Sequence, residues 1–202
     1  MRMKLQNMHN IFSFKQISFF IFSIILFSGC SPINIPGPHI ETVTEYQERE
    51  LVYVSKVVDG DTIHYFKKSK TRDGYDEKTV YKGRLIGINT PESTSKIELF
   101  GLESTNYLKD LIENKEITIE RDIDLHDNYN RELIHVFFQD ENLNEALVKN
   151  GFARVAYLYN DYKFIDRYKA AESMAKEQEI GIWSIPGYVD TNSNGFNMDV
   201  ID

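Results

Sequence analysis

From residue 51 onward the chain is a succession of short apolar runs: residues 51–58, 62–66, 80–88, 117–123 and 133–138. They are rich in β-branched and aromatic residues and of strand length, so they predict five strands. Residues 67–78 between the second and third runs are polar, with Asp73-Gly74 as a turn signal, and read as a long hairpin connection. Helical spacing predicts three further elements. About 101–114, Tyr107, Leu108, Leu111 and Ile112 share one stripe. In the next, Asn142 caps with Glu145 three residues on, Leu143, Ala146 and Leu147 form the apolar face, and Asn150-Gly151 stops it. The third, about 161–179, repeats Phe164, Tyr168, Ala171 and Ala175 ahead of Gly181. Five strands with a helix after the third and two helices at the end fit an α+β domain built on an OB-type β-barrel, spanning 51–185. The polar, aperiodic tail 186–202 is expected to be loose.

The first fifty residues have a different texture. Arg2, Lys4 and Lys15 make a basic start, and residues 17–27 follow as an apolar run too short to span a bilayer comfortably. It ends in Leu26-Phe27-Ser28-Gly29-Cys30, which resembles the lipobox of bacterial lipoproteins, with Phe27 where that family more often has a smaller aliphatic residue. The resemblance implies a signal peptide over 1–29, a lipidated Cys30 as mature N-terminus, and membrane attachment outside the cytoplasm. Pro32, Pro36 and Pro38, followed by Glu41, Glu45 and Glu48, make 30–50 an extended tether.

Composition narrows the partners. One cysteine excludes an internal disulfide, a Cys-based zinc ribbon and CxxC redox chemistry. Residues 1–29 hold three bases and no acid, so without them the formal charge moves from −8 to −11. An acidic chain does not hold nucleic acid by its overall field. Phosphate chemistry here has to rest on local arginines and a divalent cation.

Two stretches crowd acids, a base and special backbone residues at the mouths of neighbouring strands: Val57-Val58-Asp59-Gly60-Asp61-Thr62 and Arg84-Leu85-Ile86-Gly87-Ile88-Asn89-Thr90-Pro91-Glu92. Either alone is also a tight turn or a strand terminator. A third, Asp127-Asn128-Tyr129-Asn130-Arg131, precedes the fifth strand. In this order the three resemble the staphylococcal nuclease (thermonuclease) family. The likeness runs from about Val52 to Ser184 and takes in Asn144-Glu145-Ala146-Leu147-Val148, Val155-Ala156-Tyr157-Leu158-Tyr159 and Ile182-Trp183-Ser184.

The resemblance implies a calcium-dependent phosphodiesterase acting on DNA and RNA and leaving 3′-phosphorylated ends; no protein partner is evident in the sequence, and a monomer is expected. By position, Asp61 matches the family's calcium-binding aspartate and Thr90 the residue whose backbone carbonyl completes the site. Glu92 matches the glutamate that activates water, Arg84 and Arg131 the arginines that grip the scissile phosphate, and Tyr129 and Tyr157 the tyrosines flanking the nucleotide. The chemistry agrees: a phosphodiester repels hydroxide, so hydrolysis calls for guanidinium forks, a hard cation with oxygen ligands and a proton acceptor. The same arginines could instead be surface ion pairs, and the tyrosines core aromatics.

Asn89 departs from the family, which carries an aspartate five residues after the arginine; the amide still offers one neutral oxygen to a cation but no charge. Asp59 could compensate, or simply form the turn. The long 67–78 connection and a short segment after Glu92 also differ. His64, His126 and His135 lack metal-binding spacing and read as strand or loop residues. The competing reading is a non-catalytic OB-type module that binds oligonucleotide or protein at the cell surface.

Overall fold

The computed structural model describes residues 49–71 and 73–201; the expected signal peptide, Cys30 and nearly all of the tether lie outside them. Eight strands and three helices follow in the order β1 Glu50–Asp59, β2 Thr62–Lys67, β3 Tyr81–Leu85, β4 Ile88–Asn89, α1 Gly101–Ile112, β5 Glu116–His126, β6 Glu132–Phe138, β7 Glu141–Asn142, α2 Leu143–Lys149, β8 Arg154–Val155 and α3 Ile165–Glu177. Among the described residues, no helix is long and apolar enough to cross a membrane.

The five long strands close a barrel. β3, β2, β1, β5 and β6 are antiparallel neighbours in that order, and a parallel pairing of β3 with β6, Gly83 with Glu132 through Leu85 with Ile134, joins the two edges. Closure leaves no open edge between these strands. Val52, Val54, Ile63, Tyr65, Leu85, Ile119, Ile134 and Val136 fill the interior, and α1 adds Leu108 and Ile112 from its buried stripe. The expected hairpin over 67–78 forms, with Lys68 bridged to Tyr75 and Gly74 at φ 96°.

The expected third strand, 80–88, is interrupted. Gly87 turns the chain at φ 78°, and the run resumes as β4, which leaves the barrel to pair with β8, Ile88 with Val155 and Asn89 with Arg154. That break aims Asn89 and Thr90 back toward the β1–β2 turn. α2 starts as expected, with the Asn142 side chain accepting from the Glu145 amide at 3.0 Å.

The tail corrects the sequence reading. Residues 186–201 do not hang loose: Tyr188 is fully buried, and with Ile182 and Val189 it forms a second apolar cluster against Leu99, Phe100, Trp183, Ile185, Phe196 and Met198. Tyr188 and Phe196 stack at 5.3 Å, and the Tyr188 hydroxyl donates to the Leu99 carbonyl. Four aromatic rings and several aliphatic side chains suffice for a small core, though spaced too irregularly to show as a periodic stripe.

Candidate active site

Three separate stretches of chain meet at the mouths of β1, β2 and β3. The β1–β2 turn carries Asp59-Gly60-Asp61. Gly60 is required there by proximity: a Cβ on it would lie 2.8 Å from Thr90 Oγ1 and 2.9 Å from Ser104 Cβ. Asp61 is only 4% exposed, and its carboxylate accepts from the Thr90 amide at 3.0 Å and from the Thr62 hydroxyl at 3.1 Å. The Arg84 guanidinium pairs with it at 2.6 Å and donates from its other arm to Asn89 Oδ1 at 3.0 Å. Burying a carboxylate is costly unless it is paired and hydrogen-bonded in this way.

Arg131 reaches the same network from the β5–β6 turn. Its Nε donates to Asp127 at 2.7 Å, and one arm donates to the Thr62 hydroxyl at 3.1 Å. Asp127 also accepts the Tyr129 and Arg131 amides, which closes the turn; burial pushes its carboxyl up, but these bonds outweigh that and hold it below the usual range. A continuous path of hydrogen bonds thus runs Arg131, Thr62, Asp61, Arg84, Asn89. Thr62 has no role in the sequence reading; the pairing of β2 with β3 sets it opposite Arg84, and the parallel pairing of β3 with β6 brings Arg131 alongside.

Glu92 is not part of this path. Its Oε1 accepts from the Ser93 amide at 3.0 Å, the Thr94 amide at 2.8 Å and the Thr94 hydroxyl at 2.6 Å. Burial alone would raise its pKa; the Thr94, Asp59 and Ser93 hydrogen bonds win, so it is held below the ordinary glutamate value and is ionised at neutral pH. Asp59 takes the opposite shift. Burial and the charges of Asp61 and Glu92 push it up to about 6, against the bonds from Ser93 and Gly60. Its Oδ1 accepts from the Gly60 amide and from the Ser93 hydroxyl, both at 2.8 Å, so it shapes the turn and also joins an acidic group.

A cavity of about 520 Å³ opens over this floor. Arg84 and Arg131 line it together with Tyr129, Tyr157, Tyr159 and Tyr162; Glu92 and Asp61 do not line it. Tyr129 is 79% exposed, with the Arg131 guanidinium 5.4 Å from its ring centre, and Tyr157 has Arg84 at 5.9 Å. Tyr159 and Tyr162 were not singled out in the sequence, although Tyr157-Leu158-Tyr159 could have signalled the first. His135 is fully buried between Asp122 at 2.9 Å and the Tyr168 hydroxyl at 2.8 Å, an internal network away from this floor.

The donors at the turn suit a hard divalent cation. All are oxygens, and Asp61 and, more weakly, Glu92 place negative charge near Asp59 that a cation would relieve. Among the described residues no three His, Cys, Asp or Glu side chains converge as a ready-made cage, so amide, carbonyl and water oxygens would complete the shell. Asn89, expected to offer its oxygen to the cation, already accepts there from Arg84 and keeps one lone pair. Its amide nitrogen donates to the Asn194 carbonyl at 2.9 Å, a partner 105 residues away that no local pattern announces.

A family model for staphylococcal nuclease homologues matches residues 82–185. The SPbeta prophage-derived endonuclease YokF of Bacillus subtilis (strain 168) is 35% identical over 161 residues, covering 74% of this chain; the chain spans 49% of YokF, about half its length. Endonuclease YncB of the same organism is 32% identical over 162 residues, 74% of this chain and 69% of YncB. The thermonuclease of Staphylococcus intermedius is 32% identical over 154 residues, 75% of this chain and 86% of the thermonuclease.

Proposed function

The chain belongs to the staphylococcal nuclease family, and from that premise we propose that it is a divalent-cation-dependent phosphodiesterase that hydrolyses DNA and RNA, with calcium as its cation. The observation that carries the reading is the hydrogen-bonded path tying Arg84 and Arg131, which both line one cavity, to one buried aspartate.

Two guanidinium groups held by carboxylates keep their planar forks in place. A phosphate entering the cavity meets both forks, and their fixed positions lower the reorganisation needed as charge builds on the phosphoryl oxygens. Glu92, ionised and oriented by three donors, accepts the proton of the attacking water. The water oxygen bonds to phosphorus, the P–O5′ bond breaks, the 5′ oxygen takes up a proton from solvent, and the phosphate stays on the 3′ side. Tyr129 and Tyr157 offer ring faces to flanking bases, which is tolerant of sequence. A cation held by Asp61, Asn89 and the Thr90 carbonyl would neutralise phosphoryl charge and orient the water. Sequence supports a further element of the proposal, attachment to the membrane through Cys30, so that the enzyme works outside the cytoplasm as a monomer.

The test is digestion of single-stranded DNA and RNA by the purified chain with calcium, magnesium or manganese. Cleavage to 3′-phosphorylated products, reduced about 10²-fold or more in kcat by Glu92→Gln, is the expected result. Intact substrate with all three cations overturns it, and tight retention of uncut oligonucleotide would identify a binding module instead.

A further inference from the structure

We infer that Asn194 is a positioning residue of this site: the C-terminal loop reaches back to hold Asn89 and the Tyr157 backbone, and through them the Arg84 side. The inference rests on the phosphodiesterase reading for its kinetic consequence, though not for its geometry.

The loop is built to a fixed shape. Val189 is bridged to Phe196, and the Asp190 amide donates to the Gly195 carbonyl at 3.3 Å. The Asp190 carboxylate accepts from the Asn192 amide at 2.8 Å and from the Ser193 hydroxyl at 2.7 Å. Its stems are seated in the second apolar cluster, and a single arm of Arg154 donates to the carbonyls of both Asp190 and Gly195 at the two ends of the turn. Arg154 is itself the backbone partner of Asn89 across the β4–β8 ribbon, so loop and site share one anchor.

From that frame Asn194 makes two bonds into the site. Its carbonyl accepts from Asn89 Nδ2 at 2.9 Å, and its side-chain Oδ1 accepts from the Tyr157 amide at 3.3 Å. The first bond accounts for the amide at position 89. Only a group that accepts on one side and donates on the other can link Arg84 to a backbone carbonyl; an aspartate would face that carbonyl with a second acceptor. The second bond falls on a backbone under constraint. Tyr157 sits at φ 58°, a left-handed conformation unfavourable for a bulky aromatic, and surrounding contacts must hold it there. Its ring is the one beside the Arg84 guanidinium. Asn194 thus sets the pose of a nucleotide-facing ring without touching substrate itself.

The experiment compares the full chain with Asn194→Ala, which removes the acceptor for the Tyr157 amide, and with Asn194→Asp, which keeps one. Asn194 is exposed, so both variants retain the core. On single-stranded DNA with calcium, Asn194→Ala is expected to raise KM roughly three- to tenfold while kcat stays within about twofold, the loss of one hydrogen bond in binding. Asn194→Asp restores KM. Unchanged kinetics in Asn194→Ala, or no recovery in Asn194→Asp, overturns the inference while leaving the nuclease reading intact. If the parent chain cuts nothing with any cation, the nuclease reading falls and hydrogen exchange of the Tyr157 amide decides the positioning role. Faster exchange in Asn194→Ala than in the parent and Asn194→Asp supports it, and equal exchange in all three overturns it.

Discussion

Arg84 is 8% exposed, and its bonds to Asp61 and Asn89 leave it little freedom. The arrangement predicts that lysine is a poor replacement. A point charge on a flexible stem could neutralise Asp61 or approach Asn89, but its three donors lack the planar fork that reaches both and still faces a phosphate. Arg84→Lys is therefore expected to fold and to lose about 10²-fold in kcat/KM, measured on single-stranded DNA. Arg84→Ala should lose at least as much activity and also melt lower, since it strips the buried Asp61 carboxylate of its ion-pair partner. Arg84, Glu92 and Arg131 stand out in the sequence through their motifs. Thr62, which joins the two arginines, does not, because a threonine beginning a strand has no distinguishing pattern.

At the level of elements, the site depends on how α2 is tied to the barrel. Asn144 on α2 is fully buried; its Oδ1 accepts from the Val136 amide at 3.0 Å, and its amide donates to the carbonyls of Ile86 at 3.0 Å and Ile134 at 3.3 Å. One side chain thus binds a helix, the strand β6 and the break between β3 and β4 that directs Asn89 and Thr90. Asn144→Leu keeps the volume but orphans the Val136 amide and the Ile86 carbonyl, while the Ile134 carbonyl keeps the Ile86 amide at 3.0 Å, so it should destabilise by about 2 kcal/mol or more in urea unfolding. The apolar stripes identify α1, α2 and α3 from sequence because helix periodicity is local. The departure of β4 from the barrel is not local, because it depends on which strand lies opposite, and Gly87 alone could equally mark a bulge.

For the whole molecule, paired carboxylates govern behaviour in acid. Hydrogen bonds to Lys67 and Arg121 hold Glu132 below the ordinary 4.5 despite burial, and the bond to His135 holds Asp122 below 3.8. Below those ordinary values the unfolded chain takes up protons that the folded chain resists, so their stabilisation is complete above about pH 5 and lost as pH falls from there. Asp59 acts in reverse: raised from 3.8 to about 6, it holds its proton in the folded state, and its cost grows as pH rises through that window. Melting temperature in the presence of EDTA should therefore drop below about pH 4.5, and the raised Asp59 should lower it as pH climbs toward about 6. Glu132→Gln should flatten the acid limb and Asp59→Asn the upper one, both read by calorimetric melting across pH.

The strands, helices, caps and chemistry-bearing motifs were legible along the chain because each is a local matter of propensity, spacing and residue type. The barrel class followed from their order. Closure through β3 and β6, the linkage of two arginines through Thr62, and the diversion of Asn89 toward Asn194 were not legible, since each joins residues distant in sequence. The tail shows the difference most plainly. Its polar, aperiodic composition predicts a loose end, yet a few aromatics packed under Leu99 and Phe100 seat it beside the site. Burial depends on what lies opposite in space, and folding supplies that neighbour only after the distant segments have met.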